Sequence, residues 1–265
     1  MSDLWDKRLR RAEELATQWP YAADVLRFFS ALTRFQGELA RAVGAGSPRP
    51  GGTETVPLRM LSSFAPALID IVRQHAPPVL SRTADGLKGR NPAEWEEVLA
   101  TAWEVRDANP DVSSAAFFPR ALLQPWAAVR ALRWREANPG AGDGGGTCPF
   151  CGRLPVVSVL REDKLAEAVA RSLVCSLCSH EWGFTRVLCP GCREEKPERL
   201  PRLAAAEIPW IRVEACDACG RYLKAVDLTK DPAADPVTDE IASTPLDVVA
   251  AERGYAKLQA NIVGV

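Results

Sequence analysis

The residues of this chain whose type and spacing point to chemistry are its eight cysteines. All of them lie in C-x-x-C pairs: Cys148/Cys151, Cys175/Cys178, Cys189/Cys192 and Cys216/Cys219. Two thiolates separated by two residues can present both sulfurs to one ion from a tight knuckle, and a second knuckle completes a tetrahedron. Between the first and second pairs lie 23 residues, between the second and third 10, and between the third and fourth 23 again. The array is one unit, C-x2-C-x23-C-x2-C, written twice with an offset of 41 residues. Repeat logic assigns Cys148, Cys151, Cys175 and Cys178 to one ion and Cys189, Cys192, Cys216 and Cys219 to a second. In the crossed alternative the two inner pairs share one ion across their short gap and the two outer pairs share the other. Four thiolates suit zinc and iron equally.

Other uses of cysteine fit less well. Disulfide frameworks belong to short secreted chains, whereas this one has 265 residues and a charged start, Met1 to Arg11, with no apolar signal segment. A thioredoxin-type dithiol needs a single C-x-x-C at a helix start. Gly152 and Gly220 follow the second cysteine of their knuckles and permit the positive φ that turns a backbone N–H toward sulfur; Ser179 and Arg193 hold that place in the other two. His180, beside Glu181, is the one acid or base near the knuckles, and no nucleophile–base pair or phosphate-binding loop accompanies it, so the chain does not read as an enzyme.

The elements that must carry the knuckles divide at Gly140–Gly146 (GAGDGGG), where five glycines in seven residues make a tether. Before it the pattern is helical. A helix is expected from Leu4 to Trp19, and a second after Pro20 with Val25, Phe28, Phe29, Leu32, Phe35, Leu39 and Val43 on one side. Gly44 to Pro57 reads as a loop. Helix resumes near Leu58 with a kink at Pro66, restarts after Pro77-Pro78, and again at Asn91-Pro92 with Glu94 completing a capping box. A last helix is expected over 119–137, kinked or split by Pro125. Trp95, Trp103, Trp126 and Trp134 at helical spacing read as core, and His75 receives no role.

After the tether come short strand-like pieces at 154–160, 173–174, 182–188, 210–213 and 222–228. Pieces this small need metal, since structural zinc is worth about 10–16 kcal/mol in small peptides. The expected fold is α+β: a helical domain over 1–139, a Gly-rich linker over 140–147, metal-binding modules over 148–187 and 188–225, and an acidic, helical C-terminal segment over 226–265.

The residues C-P-F-C-G-R-L-P-V at 148–156, L-V-C-S-L-C-S-H-E-W at 173–182, V-L-C-P-G-C at 187–192 and C-D-A-C-G-R-Y-L-K at 216–224 resemble the formate dehydrogenase accessory protein family, FdhE. The segment D-P-V-T-D-E-I-A-S-T-P-L-D at 235–247 is similar to the family's ending, and R-R-A-E-E-L-A at 10–16 and A-L-L-Q-P at 121–125 match more weakly. The resemblance implies a cytoplasmic, non-catalytic factor for respiratory formate dehydrogenase, acting on the molybdenum- or tungsten-containing catalytic subunit before export. It also implies rubredoxin-like modules that hold iron.

Charge bears on partners. From Val226 onward seven acids face three bases, a local charge of −4, which offers Asp235, Asp239 and Asp247 as a surface for the catalytic subunit. A zinc-ribbon nucleic-acid binder is the first rival. It would need a basic stripe, yet residues 148–225 carry twelve Arg or Lys against ten Asp or Glu and the whole chain is at −1, so no nucleic acid is expected. The second rival is a rubredoxin-like electron carrier, with Trp182 or Tyr222 tuning access to the metal. No run of 18 apolar residues exists, so membrane insertion is not expected; a homodimer stays open.

Overall fold

The computed structural model describes residues 2–46, 56–105, 113–139, 145–163 and 167–264. It forms two compact units, one comprising the chain up to Ala137 with Ile262–Gly264, the other running from Asn138 to Asn261. No helix among the described residues is long and apolar enough to cross a membrane.

The first unit is helical: α1 (Ser2–Gln18), α2 (Ala23–Gly46), α3 (Leu58–Ser63), α4 (Ala65–His75), α5 (Pro78–Leu87), α6 (Pro92–Glu104) and α7 (Phe117–Ala137). Helix α2 runs on to Gly46, into the expected loop, whose residues 47–55 lie outside the described residues. Pro66 does not kink a helix but begins one, because a proline in the first turn removes no helical hydrogen bond. The Asn91–Glu94 capping box forms as read. Leu26, Phe29, Leu32 and Leu39 of α2 are buried, Phe28 meets Phe117 at 5.8 Å between ring centroids, and Trp95 meets Phe118 at 6.4 Å. Trp95 and Trp126 are core residues, while Trp103 and Trp134 are half-buried.

Pro125 does not split α7. A proline there has no N–H for the carbonyl of Ala121, one turn earlier. Gln36 of α2 supplies the missing donor: its Nε2 reaches the Ala121 oxygen at 3.0 Å and Gln124 Oε1 at 2.9 Å, all of it buried.

Among the described residues the second unit is built on one seven-stranded sheet. Its strands are β1 (Pro155–Asp163), β2 (Ala168–Cys175), β3 (Glu181–Gly183), β4 (Arg202–Ala204), β5 (Ile211–Cys216), β6 (Arg221–Asp227) and β7 (Ala256–Lys257). Spatial order is β3-β2-β1-β6-β5-β4, with β7 beside the start of β6. The strands of the two cysteine modules thus belong to one sheet, joined where β1 pairs parallel with β6 at Ser158↔Ala225, Val159↔Val226 and Leu160↔Asp227. The C-terminal segment supplies α8 (Pro236–Ala242), which packs on β1 and β6, and α9 (Thr244–Glu252), which packs on β4, β5 and β7. Of the Gly-rich linker, residues 140–144 lie outside the described residues. Gly145 accepts a hydrogen bond from Trp182 Nε1 at 2.9 Å, and Gly146 lies so near the Pro190 carbonyl that a Cβ would sit 2.2 Å from its oxygen.

Candidate metal centres

Each centre draws one knuckle from the chain entering a module and one from a hairpin inside it. Cys148 and Cys151 lie in the turn before β1, and Cys175 and Cys178 at the β2–β3 turn; Cys189 and Cys192 follow β3, and Cys216 and Cys219 lie at the β5–β6 turn. The sulfurs of Cys148, Cys151, Cys175 and Cys178 form one group and those of Cys189, Cys192, Cys216 and Cys219 the other, each within 4.8 Å. The inner and outer pairs do not cross.

The knuckles are closed by the same bonds at different sequences. Cys148 N–H donates to Arg153 O and Gly152 N–H to Cys148 O, both at 2.8 Å; Cys189 N–H donates to Glu194 O at 2.8 Å and Arg193 N–H to Cys189 O at 3.0 Å. The residue after the second cysteine has positive φ in all four knuckles: Gly152 at 74°, Ser179 at 55°, Arg193 at 65° and Gly220 at 65°. Ser179 and Arg193 therefore take the left-handed conformation despite their Cβ atoms. Backbone N–H groups of Leu177 and Gly191 point at the sulfurs of Cys175 and Cys189, at 3.4 and 3.3 Å.

These sulfurs fit a metal. With M–S bonds of about 2.3 Å, a tetrahedron has S···S edges of about 3.8 Å. Cys148–Cys178 measures 3.6 Å, Cys151–Cys175 3.3 Å and Cys151–Cys178 3.7 Å; in the second group Cys189–Cys219 is 3.8 Å and Cys192–Cys216 3.6 Å. A disulfide would need about 2.05 Å, and all eight thiols are free. The thiols of Cys148, Cys175 and Cys178 hydrogen-bond Cys151 and hold it far down, whereas burial pushes Cys175 and Cys178 up. Four buried thiolates this close repel one another, so all four ionise together only around a cation. The centres differ in exposure. All four cysteines of the first are at most 2% exposed, whereas in the second Cys192 is exposed and Cys219 half-buried.

Residues 187–263 match the family model described as FdhE, C-terminal domain, and residues 147–186 match FdhE, central domain. A protein named "Protein FdhE homolog" from Aquifex aeolicus (strain VF5) is 26% identical over 279 residues, covering 97% of this chain and 94% of its own. Another of that name, from Yersinia pestis (strain Pestoides F), is 29% identical over 276 residues, covering 98% and 88%. The crystal structure of the FdhE protein from Pseudomonas aeruginosa superposes with a TM-score of 0.69 at 25% identity, over 99% of this chain and 96% of that one. Residues 147–263 carry both FdhE domains. The boundary between the two domain models, at 186/187, falls between the two cysteine groups, so each FdhE domain carries one candidate centre on the shared sheet.

The acids offered as a partner surface are spent inside this FdhE fold. Asp235 is 4% exposed and caps α8, accepting from Thr238 N–H at 2.9 Å. Asp239 is fully buried and accepts from Trp210 Nε1 and from Asp235 N–H, both at 2.9 Å. Asp247 accepts from Lys224 Nζ at 2.6 Å and Tyr222 Oη at 2.7 Å, and pairs with Lys257 at 3.2 Å. These contacts fasten α8 and α9 to the sheet and leave no acidic docking face at these positions. Glu240, wholly buried, completes the cluster through Lys224, Lys257 and Asn261. Burial would raise the Asp247 carboxyl, but Lys224 and then Lys257 hold it below its ordinary range.

The side chains imagined near the metals have other work. His180 offers its backbone carbonyl to Cys175 N–H at 2.9 Å, and its ring stacks against Trp182. Tyr222 points to Asp247, and Glu181 takes a two-pronged bond from Arg161 at 2.9 and 3.1 Å. Two features went unread: the buried Lys224, and Arg171, whose guanidinium crosses the sheet to Glu214 at 2.7 Å. Lys224 could have been found, because strand alternation sets it on one face with the apolar Tyr222 and Val226.

Proposed function

We propose that this chain is a non-catalytic accessory factor of formate dehydrogenase. It acts in the cytoplasm on the catalytic subunit of that enzyme, and its second unit is a rigid platform held by two metal ions. The observation that carries the reading is the match of residues 147–263 to both FdhE domain models, each with its own four-sulfur group. The fold gives the role a physical form. A sheet whose two halves each end in a metal knuckle resists local opening, because metal ligation contributes to folding directly. The residues proposed as ligands are Cys148, Cys151, Cys175 and Cys178 for the first ion and Cys189, Cys192, Cys216 and Cys219 for the second.

The test is genetic and biochemical. In the native host, deletion of this chain should leave the catalytic subunit present but formate dehydrogenase inactive, and plasmid-borne chain should restore activity and co-purify with the subunit. Full activity in the deletion strain would end the proposal. Anaerobically purified chain should carry two ions; iron, which the resemblance implies, gives a coloured oxidised form, and a colourless preparation with two zinc ions would replace it.

A further inference from the structure

A cavity of about 260 Å³ lies against the second cysteine group on one face of the sheet. Cys189 and Cys216 line it while Cys192 and Cys219 do not, so it flanks the centre and is not the metal's own hole. Antiparallel register puts Arg202 of β4 opposite Glu214 of β5, and Glu214 opposite Leu223 of β6, while Arg221 lies opposite Cys216. Directly paired residues share a face, as do residues two apart. Arg202, Glu214, Cys216, Arg221 and Leu223 therefore form one floor, which Leu200 and Leu258 border.

The charges on this floor do not balance. Its one carboxylate, Glu214, is already engaged by Arg171 and by Arg212, each at 2.7 Å. Arg171 is further occupied by Ser158 Oγ and by the carbonyls of Thr185 and Leu188, at 2.9–3.1 Å. Arg202 is exposed and Arg221 half-buried, and neither guanidinium has an ion pair among the described residues. Two unspent guanidiniums, which bind carboxylates in fork geometry, thus stand over a recess with leucine edges.

We propose that this recess binds an acidic peptide segment of the protein partner, with a carboxylate on Arg202 and Arg221 and an adjoining apolar side chain against Leu200, Leu223 and Leu258. A free small anion fits less well: it would leave the leucine edges uncovered and depend on solvent-screened charges alone. The inference rests on the accessory reading for the identity of the partner, and not for the existence of the site.

The experiment uses the full, metal-loaded chain and the double reversal R202E/R221E, whose metal content and circular dichroism should match wild type because both heads face the recess and solvent. The first probe is a fluorescein-labelled peptide alternating glutamate and leucine. Wild type should bind it at least tenfold more tightly than the double variant does, and a lysine–leucine peptide should show the reverse preference. Equal binding by the two proteins overturns the proposal. So does displacement from wild type by millimolar acetate or phosphate as effective as that by unlabelled peptide, which would mark a free-anion site. The second probe is the intact catalytic subunit. Capture by wild type that drops at least tenfold in R202E/R221E supports the proposal; equal capture by both overturns it while leaving the accessory role standing. Failure of wild type to capture the subunit counts against the accessory role, and the peptide comparison then decides the recess alone.

Discussion

Asp239 separates a structural tail from a docking tail, and the substitution that does so most cleanly is Asp239→Asn. The side chain is wholly buried, with Oδ1 facing Trp210 Nε1 and Oδ2 facing the backbone N–H of Asp235, both at 2.9 Å. Asparagine keeps the shape but has one oxygen, so an NH2 group must face one of the two donors. The loss is one hydrogen bond to a charged group, about 1.5–3 kcal/mol, and a buried donor left without an acceptor adds about 1–3 kcal/mol. We take about 3 kcal/mol as the sum, short of the upper limit because half-buried Trp210 can turn toward water. At about 1.4 kcal/mol per tenfold, that is roughly a hundredfold in the opening equilibrium. Hydrogen exchange of the β5 and β6 amides reports the second unit by itself, and their protection should fall by roughly that factor. Unchanged protection together with lost capture of the catalytic subunit would refute the reasoning and return Asp239 to the surface.

Three further outcomes follow from the same geometry. Because Cys192 is exposed and the first centre is sealed, a chelator should remove the second ion first, and Cys192→Ser should abolish only that fast phase; equal release rates measured by a metal-sensitive dye would contradict this. Gly220 sits at φ 65°, and an added Cβ would meet nothing within 4 Å beyond its own chain neighbours, so Gly220→Ala should cost about 1–2 kcal/mol through the backbone alone, whereas Arg193→Gly, which relieves the same φ of 65°, should cost less than Gly220→Ala in urea unfolding. Asp247 has a folded pKa held below its unfolded value of about 3.9. Its contribution is therefore present above about pH 4 and lost as pH falls through the folded value; the stability gap between wild type and Asp247→Asn should narrow below about pH 4, and a gap constant from pH 3 to 6 would remove the lysine pairing as its cause.

What could be read from the sequence is what short-range chemistry writes there. Two thiols two residues apart already specify a knuckle, and Asn91, Pro92 and Glu94 specify a helix start. The knuckle glycines disclosed their positive φ, but Ser179 and Arg193 did not, since only closure around the sulfurs forces their backbone there. The acidic tail was misread for a related reason. Charged residues are seldom buried unless paired, and two of the three partners of Asp247, Lys224 and Tyr222 in β6, lie 23 and 25 residues away in sequence. The same holds for Pro125, whose helix survives because Gln36 donates from 85 residues away to the carbonyl of Ala121.

The joining of the two modules has its own physical cause, and it involves neither metal. Arg171 stands on β2 and its partner Glu214 on β5, with β1 and β6 between them. On the face they share, those two strands present Ser158 and Ala225, which pair in the parallel register and are both fully buried. A serine and an alanine leave a trough that a long guanidinium side chain can lie along, and Ser158 Oγ accepts from Arg171 Nε at 2.9 Å on the way. Larger side chains at either position would fill the trough and strand both charges, and breaking such a buried pair costs about 3–5 kcal/mol. The far end of the same guanidinium holds the Leu188 carbonyl, next to Cys189. One arginine of the first module thereby fixes the first knuckle of the second, so the duplicated cysteine array is also a mechanically continuous one.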